Sequence, residues 1–293
     1  MEKHVVFLSW HDSLPGYIKG LYKILPYKKS FISRGHIQGK LIDKNLMSSP
    51  GSYQLRSDIQ IANKIKELKA THVVVWNGDF NDNERGFQLP LMNMLRGQSG
   101  LKLVFCEHGW LPQSTTFTID NEGSNGSSSV SKSSKIDCRP NKALIDAKRS
   151  EYTAPVYKGL NSYIYLPLQI NTDTQVSLYS PYFKDMASLI KHVSGMFPDR
   201  KIIVKAHPKD STSNKERYRR ICNGVNLIYV DDRNNMSYIK GADRVIAINS
   251  TVVNEALLFN KPVMTYGINY FSNKGVTYEV SDINDIQLSL IHI

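Results

Sequence analysis

The feature that most constrains this chain is the repeated alternation of short apolar runs with stretches of helical periodicity. The run His4–Ser9 reads as a buried strand. Within 57–69, Ile59, Ile61, Ala62, Ile65 and Leu68 recur near helical spacing and predict a helix, followed by a strand over 71–76 (THVVVW). A helix over 88–95 and a strand over 101–106 continue the pattern. Strands and helices in this order form parallel βαβ units.

The alternation resumes later. It predicts a strand over 163–168, an amphipathic helix over 182–197 ending before Pro198, and strands over 201–206 and 227–230. A short helix over 236–240, a strand over 244–248, a helix over 251–259 and a strand over 262–266 follow. Two such regions, joined near 155–175, predict an α/β chain of two Rossmann-like domains facing a cleft, with boundaries 1–160 and 161–293. No internal repeat is visible. Residues 121–162 have a different character: 124–134 (SNGSSSVSKSS) hold seven serines in eleven residues. That composition predicts a loop or mobile segment rather than core, either functional or simply disordered. A helix start at Ser281-Asp282 lies close to the final residue, which leaves open whether the last elements of the second domain are within this sequence.

With 293 residues and 41% hydrophobic content there is ample chain for a core, which excludes disorder, collagen and small disulfide scaffolds. No apolar run approaches the ~20 residues of a membrane span. The opening MEKHVVFLSW is too short in apolar length for a signal peptide. Cys106, Cys138 and Cys222 fit neither a disulfide framework nor a zinc site, so a reducing cytoplasm is the expected location. The formal net charge of +11 favours a polyanionic partner: nucleic acid, an anionic membrane surface or a phosphorylated substrate. No zinc finger, basic zipper or RNA-binding aromatic signature is present, so nucleic acid is not expected. The densest basic run, 215–220 (KERYRR), reads most simply as a solvated helix face.

Four segments carry candidate chemistry. Lys205-Ala206-His207-Pro208 ends the strand KIIVKA, where ligands bind in open α/β sheets. Lys205 and His207 alternate on an extended segment, and Pro208 stops it, so both can neutralise a phosphate; a surface turn is the alternative. Asn249-Ser250-Thr251 ends another strand and opens a helix, with Glu255 one turn further in. Ser250 is placed as an N-cap, and the helix start favours an anion, though an ordinary capped helix would look the same. In 105–113 (FCEHGWLPQ) a strand ends at Glu107 and Gly109 permits a tight turn; a loop salt bridge is the plainer role for Glu107. In 166–175 (LPLQINTDTQ) Asp173 lies at the domain junction, either as a functional carboxylate or as a turn or cap residue.

Together, EHGWLPQ (107–113), FTIDNEGSN (117–125), LPLQINTDTQ (166–175), KAHP (205–208) and NSTVVNEALLFNKPVMTYG (249–267) resemble the bacterial capsular-polysaccharide glycosyltransferases. In particular they look like the retaining β-Kdo transferases that use CMP-Kdo. The resemblance spans roughly residues 70–280, in the same motif order. It implies a GT-B-like fold with donor in the C-terminal half and acceptor in the N-terminal half. It implies that Lys205, His207 and Ser250 hold the CMP phosphate, in a nucleotide site with Pro208, Asn249, Thr251 and Glu255. It implies Asp173 as catalytic nucleophile and Glu107 as a supporting or proton-handling carboxylate. His108, Gln113, Asp120 and Gln169 fall on the acceptor or sugar side. Partners would be the CMP-sugar and a glycan or lipid-linked glycan acceptor of capsule or lipopolysaccharide, with peripheral contact to an anionic inner membrane. The serine-rich stretch and the early end depart from the family pattern.

The chemistry agrees with this. Positive charge at Lys205, His207 and the helix start stabilises departing CMP without a metal, and there is no Asp-x-Asp motif, so no metal or other cofactor is expected. Asp231-Asp232 reads as a turn. A carboxylate beside the anomeric carbon suits a double displacement. Two other readings remain: an inverting CMP-sialic-acid-type or other nucleotide-sugar GT-B transferase, and a non-catalytic nucleotide- or polyanion-binding module.

Overall fold

A computed structural model of the protein describes residues 2–9, 16–34, 44–76, 89–112, 116–135, 139–224 and 226–283. The chain divides into two compact units, Met1–Val130 and Ser131–Ile293.

The first unit holds strands β1 (His4–Ser9), β2 (Lys28–Ser33), β3 (Ser52–Gln54), β4 (His72–Trp76), β5 (Lys102–His108) and β6 (Phe117–Asp120). Their order in the sheet is β3-β2-β1-β4-β5-β6. All neighbours are parallel except β5 and β6, which are antiparallel. Helices α1 (Gly16–Ile24), α2 (Lys44–Met47), α3 (Asp58–Glu67) and α4 (Leu89–Arg96) cover both faces. Alternate strand residues explain why the runs are apolar throughout. Val6, Leu8, Val73 and Val75 meet Ile61, Ile65, Leu91 and Leu95 on one face. Val5, Phe7, Val74 and Trp76 meet Ile18 and Leu46 on the other. A parallel sheet buried on two faces needs both sets apolar. Helix α3 starts where the sequence says: Ser57 Oγ accepts from Gln60 N–H, and the Gln60 side chain accepts from Ser57 N–H.

The second unit holds β7 (Ile164–Pro167), β8 (Ile202–Lys205), β9 (Leu227–Val230), β10 (Arg244–Ala247), β11 (Val263–Thr265) and β12 (Tyr278–Glu279). Its order is β12-β11-β10-β7-β8-β9, all parallel. Counted from its own first strand, this repeats the 3-2-1-4-5-6 order of the first unit, so both are Rossmann-like and the GT-B-like pair expected from the sequence is present. The order reverses between β7 and β10. The sheet carries α7 (Thr174–Tyr179), α8 (Met186–Met196), α9 (Thr212–Ile221), α10 (Asn235–Gly241) and α11 (Val252–Leu258), preceded in the chain by α5 (Ser129–Lys132) and α6 (Lys142–Ser150).

Several expectations need correction. The boundary falls at 130/131 rather than 160/161. Tyr152, Ala154, Tyr157 and Leu160 pack on the second unit's core, Lys240 Nζ donates to Tyr152 O and Ala154 O, and Arg149 donates to Leu258 O. The helix predicted over 182–197 begins only at Met186. Asp185 caps it, accepting from Ser188 N–H at 3.2 Å, while Ser180 and Phe183 close a separate turn before it. The serine-rich stretch is ordered: a 3₁₀ turn (Asn125–Ser127) and α5, with Ser124, Asn125, Ser128 and Ser131 buried. The basic run 215–220 is the solvated face of α9, with Arg217 on Asp185, Arg219 on Asp231 and Arg220 on Glu216. Cys138 lies outside the described residues. Burial pushes the Cys106 and Cys222 thiols up to about 12. No helix among the described residues is long and apolar enough to cross a membrane.

Candidate functional site

In an open α/β sheet the ligand crevice lies beyond the carboxyl ends of the strands, where the strand order reverses. In the second unit that point is the end of β7 beside the end of β10, flanked by the end of β8. The segments 168–175, 206–210 and 248–251 leave the sheet there, and they contain most of the residues the sequence singles out.

Asp173 is the N-cap of α7. Its Oδ1 accepts from Gln175 N–H at 2.9 Å, and no described residue donates to Oδ2. Burial raises its carboxyl above the ordinary range, and the bond from Gln175 and the nearby His207 only partly offset this. The cap role therefore leaves room for a chemical one: Oδ1 holds the helix, and Oδ2 is not engaged by any described residue.

His207 stands on the turn after β8. Its Nδ1 accepts from Lys209 N–H at 3.2 Å, which fixes the neutral ring as the Nε2–H tautomer. Burial lowers its pKa, and the Asp173 carboxylate is the largest influence raising it. Asp173 and His207, expected from separate motifs, thus act on each other. Lys205 is buried at the end of β8, and among the described residues its ammonium reaches only Ala206 O, at 3.5 Å. Burial lowers its pKa, and the Asp232 carboxylate is the largest charge raising it, with Asp231 a smaller one. A desolvated cation with so little local compensation is suited to an incoming anion. Pro208 is exposed beyond it.

The expected phosphate loop differs in detail. Thr251, at the start of α11, has helical dihedrals (φ −60°, ψ −17°) and makes no side-chain cap bond, so the capping contact is left to the residue before it. Ser250, predicted as the N-cap, sits one residue earlier and its Oγ accepts from Val252 N–H at 3.3 Å. Asn249 and Gln169 are buried and joined to each other, and Asn249 Nδ2 also donates to Gln175 O and Ile268 O. Their polar groups organise the loops, so neither is free to bind phosphate or sugar as expected. A methyl at Gly267 would fall 2.7 Å from Ile248 Cγ2 and 2.8 Å from Tyr179 O, so only glycine permits this close approach. Glu255 belongs to a neighbouring set: Asn235 Nδ2 donates to it at 2.9 Å, Tyr165 donates to Asn235, and burial raises the Glu255 carboxyl. Asp232 accepts from Asn234 N–H and Tyr238 Oη, the turn expected at Asp231-Asp232.

In the first unit, β5 runs one residue past Glu107 to His108, and Glu107 is buried, its Oε1 accepting from His108 N–H at 2.8 Å. His108 is exposed and meets Trp76 edge-on. Gly109 is demanded by space, since a methyl there would lie 2.6 Å from Thr116 backbone carbon. Asp120 is not available to a sugar. Oδ1 accepts from Glu122 and Gly123 N–H, and Oδ2 from Ser129 N–H and Oγ. Burial raises its pKa, but these bonds outweigh it and hold the carboxyl below its ordinary value. Gln113 lies outside the described residues.

Sequence reasoning missed Asp210, buried three residues past His207 and bonded to Ser211 N–H and Asn214 Nδ2. Its position just before a Ser-x-x-Asn helix start was the available signal.

Known proteins can now be set beside this geometry. The solved structure of Thermosulfurimonas dismutans KpsC, a β-Kdo 2,7 transferase, superposes with a TM-score of 0.63 at 18% identity, covering 97% of this chain and 85% of that one. At that identity the likeness is one of fold. Protein FixF of Sinorhizobium fredii (strain NBRC 101917 / NGR234) is 26% identical over 235 residues, 74% of this chain and 54% of FixF. The capsule polysaccharide export protein KpsS of Escherichia coli is 29% identical over 123 residues, 38% of this chain and 31% of KpsS. The chain therefore spans about half the length of FixF and less of KpsS. A family model described as capsule polysaccharide biosynthesis protein matches residues 98–286, from the turn before β5 to beyond β12 and thus across Glu107, Asp173, Lys205, His207 and Ser250. By that match, the chain belongs to the capsule polysaccharide biosynthesis protein family.

Proposed function

We propose that the protein is a glycosyltransferase that moves Kdo from CMP-Kdo to a glycan or lipid-linked glycan acceptor, with retention. The observation that carries this is the meeting of Asp173, His207 and Lys205 where the second sheet's strand order reverses. A buried ammonium and an imidazole N–H next to a carboxylate with one unengaged oxygen combine an anion site with a nucleophile. The fold shared with KpsC and the family's link to capsule synthesis support the same reading.

In the reaction so read, Lys205, the His207 Nε2–H and the start of α11 hold the CMP phosphate. Asp173 Oδ2 attacks the anomeric carbon, and the carbon–oxygen bond to phosphate breaks with its electron pair leaving on CMP. An acceptor hydroxyl then attacks the same carbon, surrenders its proton, and returns the carboxylate. Two inversions give retention. In this reading Glu107 is the proton-handling carboxylate. No step requires a metal, and peripheral contact with an anionic membrane follows from the basic charge and a lipid-linked acceptor.

Calorimetry with CMP, followed by a transfer assay with CMP-Kdo and anomeric analysis of the product, tests the proposal. CMP binding weakened in His207→Ala by roughly 1–3 kcal/mol and a retained product are expected. An inverted product overturns the double displacement, and no CMP binding by the folded wild-type protein overturns the donor assignment.

A further inference from the structure

The turn that carries His207 has a buried anchor that phosphate binding does not itself require. Asp210 donates its backbone N–H to His207 O at 3.0 Å, closing the turn. Its carboxylate Oδ1 accepts from Ser211 N–H and from Asn214 Nδ2, each at 2.8 Å, and so grips the first turn of α9. Its other oxygen, Oδ2, is buried without a hydrogen-bond partner, and so is Tyr218 Oη. Asn214 and Tyr218 stand four residues apart on α9, on one face of the helix. Burial and then the Asp210 charge raise the Tyr218 phenol, so a protonated donor lies close to a carboxylate oxygen that lacks one. Buried polar atoms are rarely left alone, and here the two are complementary. Both the Asp210 carboxylate and the Asn171 side chain act on this phenol.

Resting on the donor-site reading above, we propose that Asp210 is a positioning residue for His207: it clamps the His207–Asp210 turn to α9, Tyr218 completes the clamp, and the imidazole is thereby held with Nε2–H toward the ligand. The link runs through Lys209. Its N–H fixes the ring tautomer by donating to His207 Nδ1, and Lys209 lies inside the turn that Asp210 closes. If the clamp opens, that N–H moves away and either ring nitrogen can carry the proton.

The test uses the full chain with Asp210→Ala, Asp210→Asn, Tyr218→Phe, His207→Ala and the double variant His207→Ala/Asp210→Ala. Two quantities are read: the His207 tautomer from ¹⁵N imidazole shifts without ligand, and CMP affinity by calorimetry. Asp210→Ala should mix the tautomers and weaken CMP about tenfold, and in the His207→Ala background it should cause no further loss. Asp210→Asn keeps an acceptor for Ser211 and Asn214 and should restore both readouts to within about threefold. A general loss of stability would give neither the tautomer change nor the non-additivity. A folded Asp210→Ala that retains the Nε2–H tautomer, or whose loss adds in full to that of His207→Ala, overturns the proposal. If Asp210→Ala does not fold, Tyr218→Phe decides: partial tautomer mixing supports the clamp and an unchanged ring overturns it. Should wild-type protein bind no CMP, the donor assignment fails, and the tautomer measurement still decides the role of Asp210.

Discussion

Gln169 and Asn249 hold each other across the point where the second sheet reverses its strand order. Gln169 Nε2 donates to Asn249 Oδ1 at 3.0 Å, and Asn249 N–H donates to Gln169 Oε1 at 3.2 Å. Asn249 Nδ2 then reaches Gln175 O and Ile268 O. One buried pair therefore fixes the loop after β7, the end of β10 and the segment after β11.

Truncating either partner leaves buried groups of the other unpaired. Gln169→Ala or Asn249→Ala should each cost roughly 1–3 kcal/mol of stability. The double variant should cost less than the sum by about 0.5 kcal/mol or more. Urea unfolding of the four proteins measures this, and additive losses would show that the pair is not coupled.

This pair also marks where sequence reading stops. The strands β1, β4, β8 and β10 were legible because both faces of each are buried, leaving unbroken apolar runs. Helix α3 was legible from Ser57 and Gln60, a local capping pattern. Strand β2 was not, since it opens on the exposed or half-buried Lys28 and Lys29 and only 30–33 are buried. Helix α9 is legible only as the solvated face of the basic run 215–220, because it buries only Tyr218 and offers no apolar periodicity. Asp173 and His207 were visible as strand-end residues, but their mutual influence was not, and Gln169 and Asn249 are 80 residues apart with no local mark of partnership. Composition misled at 124–134, where Ser129 is held through its N–H and hydroxyl by a carboxylate outside the segment, Asp120.

That carboxylate yields a stability prediction. Asp120 accepts four bonds from Glu122, Gly123 and Ser129, and its pKa is lowered in the fold. A depressed carboxyl pKa contributes stability above its unfolded value that is lost as pH falls through the folded one. Asp120→Ala should destabilise the first unit by roughly 1–3 kcal/mol at neutral pH. It should also increase hydrogen exchange at Gly123 and Ser129. Unchanged exchange there would mean that the serine turn stands without Asp120.

A second pH dependence has the opposite chemical origin. His192 lies against Phe183 and Tyr266, with Nε2 3.1 Å from Tyr266 Oη, whose own hydroxyl reaches Met196 Sδ. Burial lowers the His192 pKa below its ordinary 6.5. The unfolded chain then binds the proton more readily, so stability is full above 6.5 and is lost as pH falls toward the folded value. His192→Gln should flatten the fall in urea midpoint between about pH 6.5 and 5. Some slope should remain, because His72 and His207 are shifted in the same direction. An identical slope in the variant would remove His192 as a contributor.

The Asp173 carboxylate has an observed role as a helix cap and a proposed one as nucleophile, and two substitutions separate them. As N-cap of α7 it accepts from Gln175 N–H, and asparagine caps a helix about as well as aspartate. Asp173→Asn should therefore keep α7 and CMP affinity nearly intact, whereas Asp173→Ala should also lose about 0.5–2 kcal/mol of stability. As nucleophile its charge is indispensable, so Asp173→Asn should lower the transfer rate by about a hundredfold or more. The His207 pKa should fall in the same variant, because the charge that raises it is gone. The wild-type rate should decline on the acid side beginning above pH 3.8, since burial raises this carboxyl from that value and only the ionised form attacks. Steady-state rates, CMP calorimetry and histidine titration by NMR check the three expectations. An Asp173→Asn protein that transfers sugar at a near-normal rate with retention would leave Asp173 as a helix cap and place the nucleophile elsewhere, with Glu107 the first carboxylate to examine.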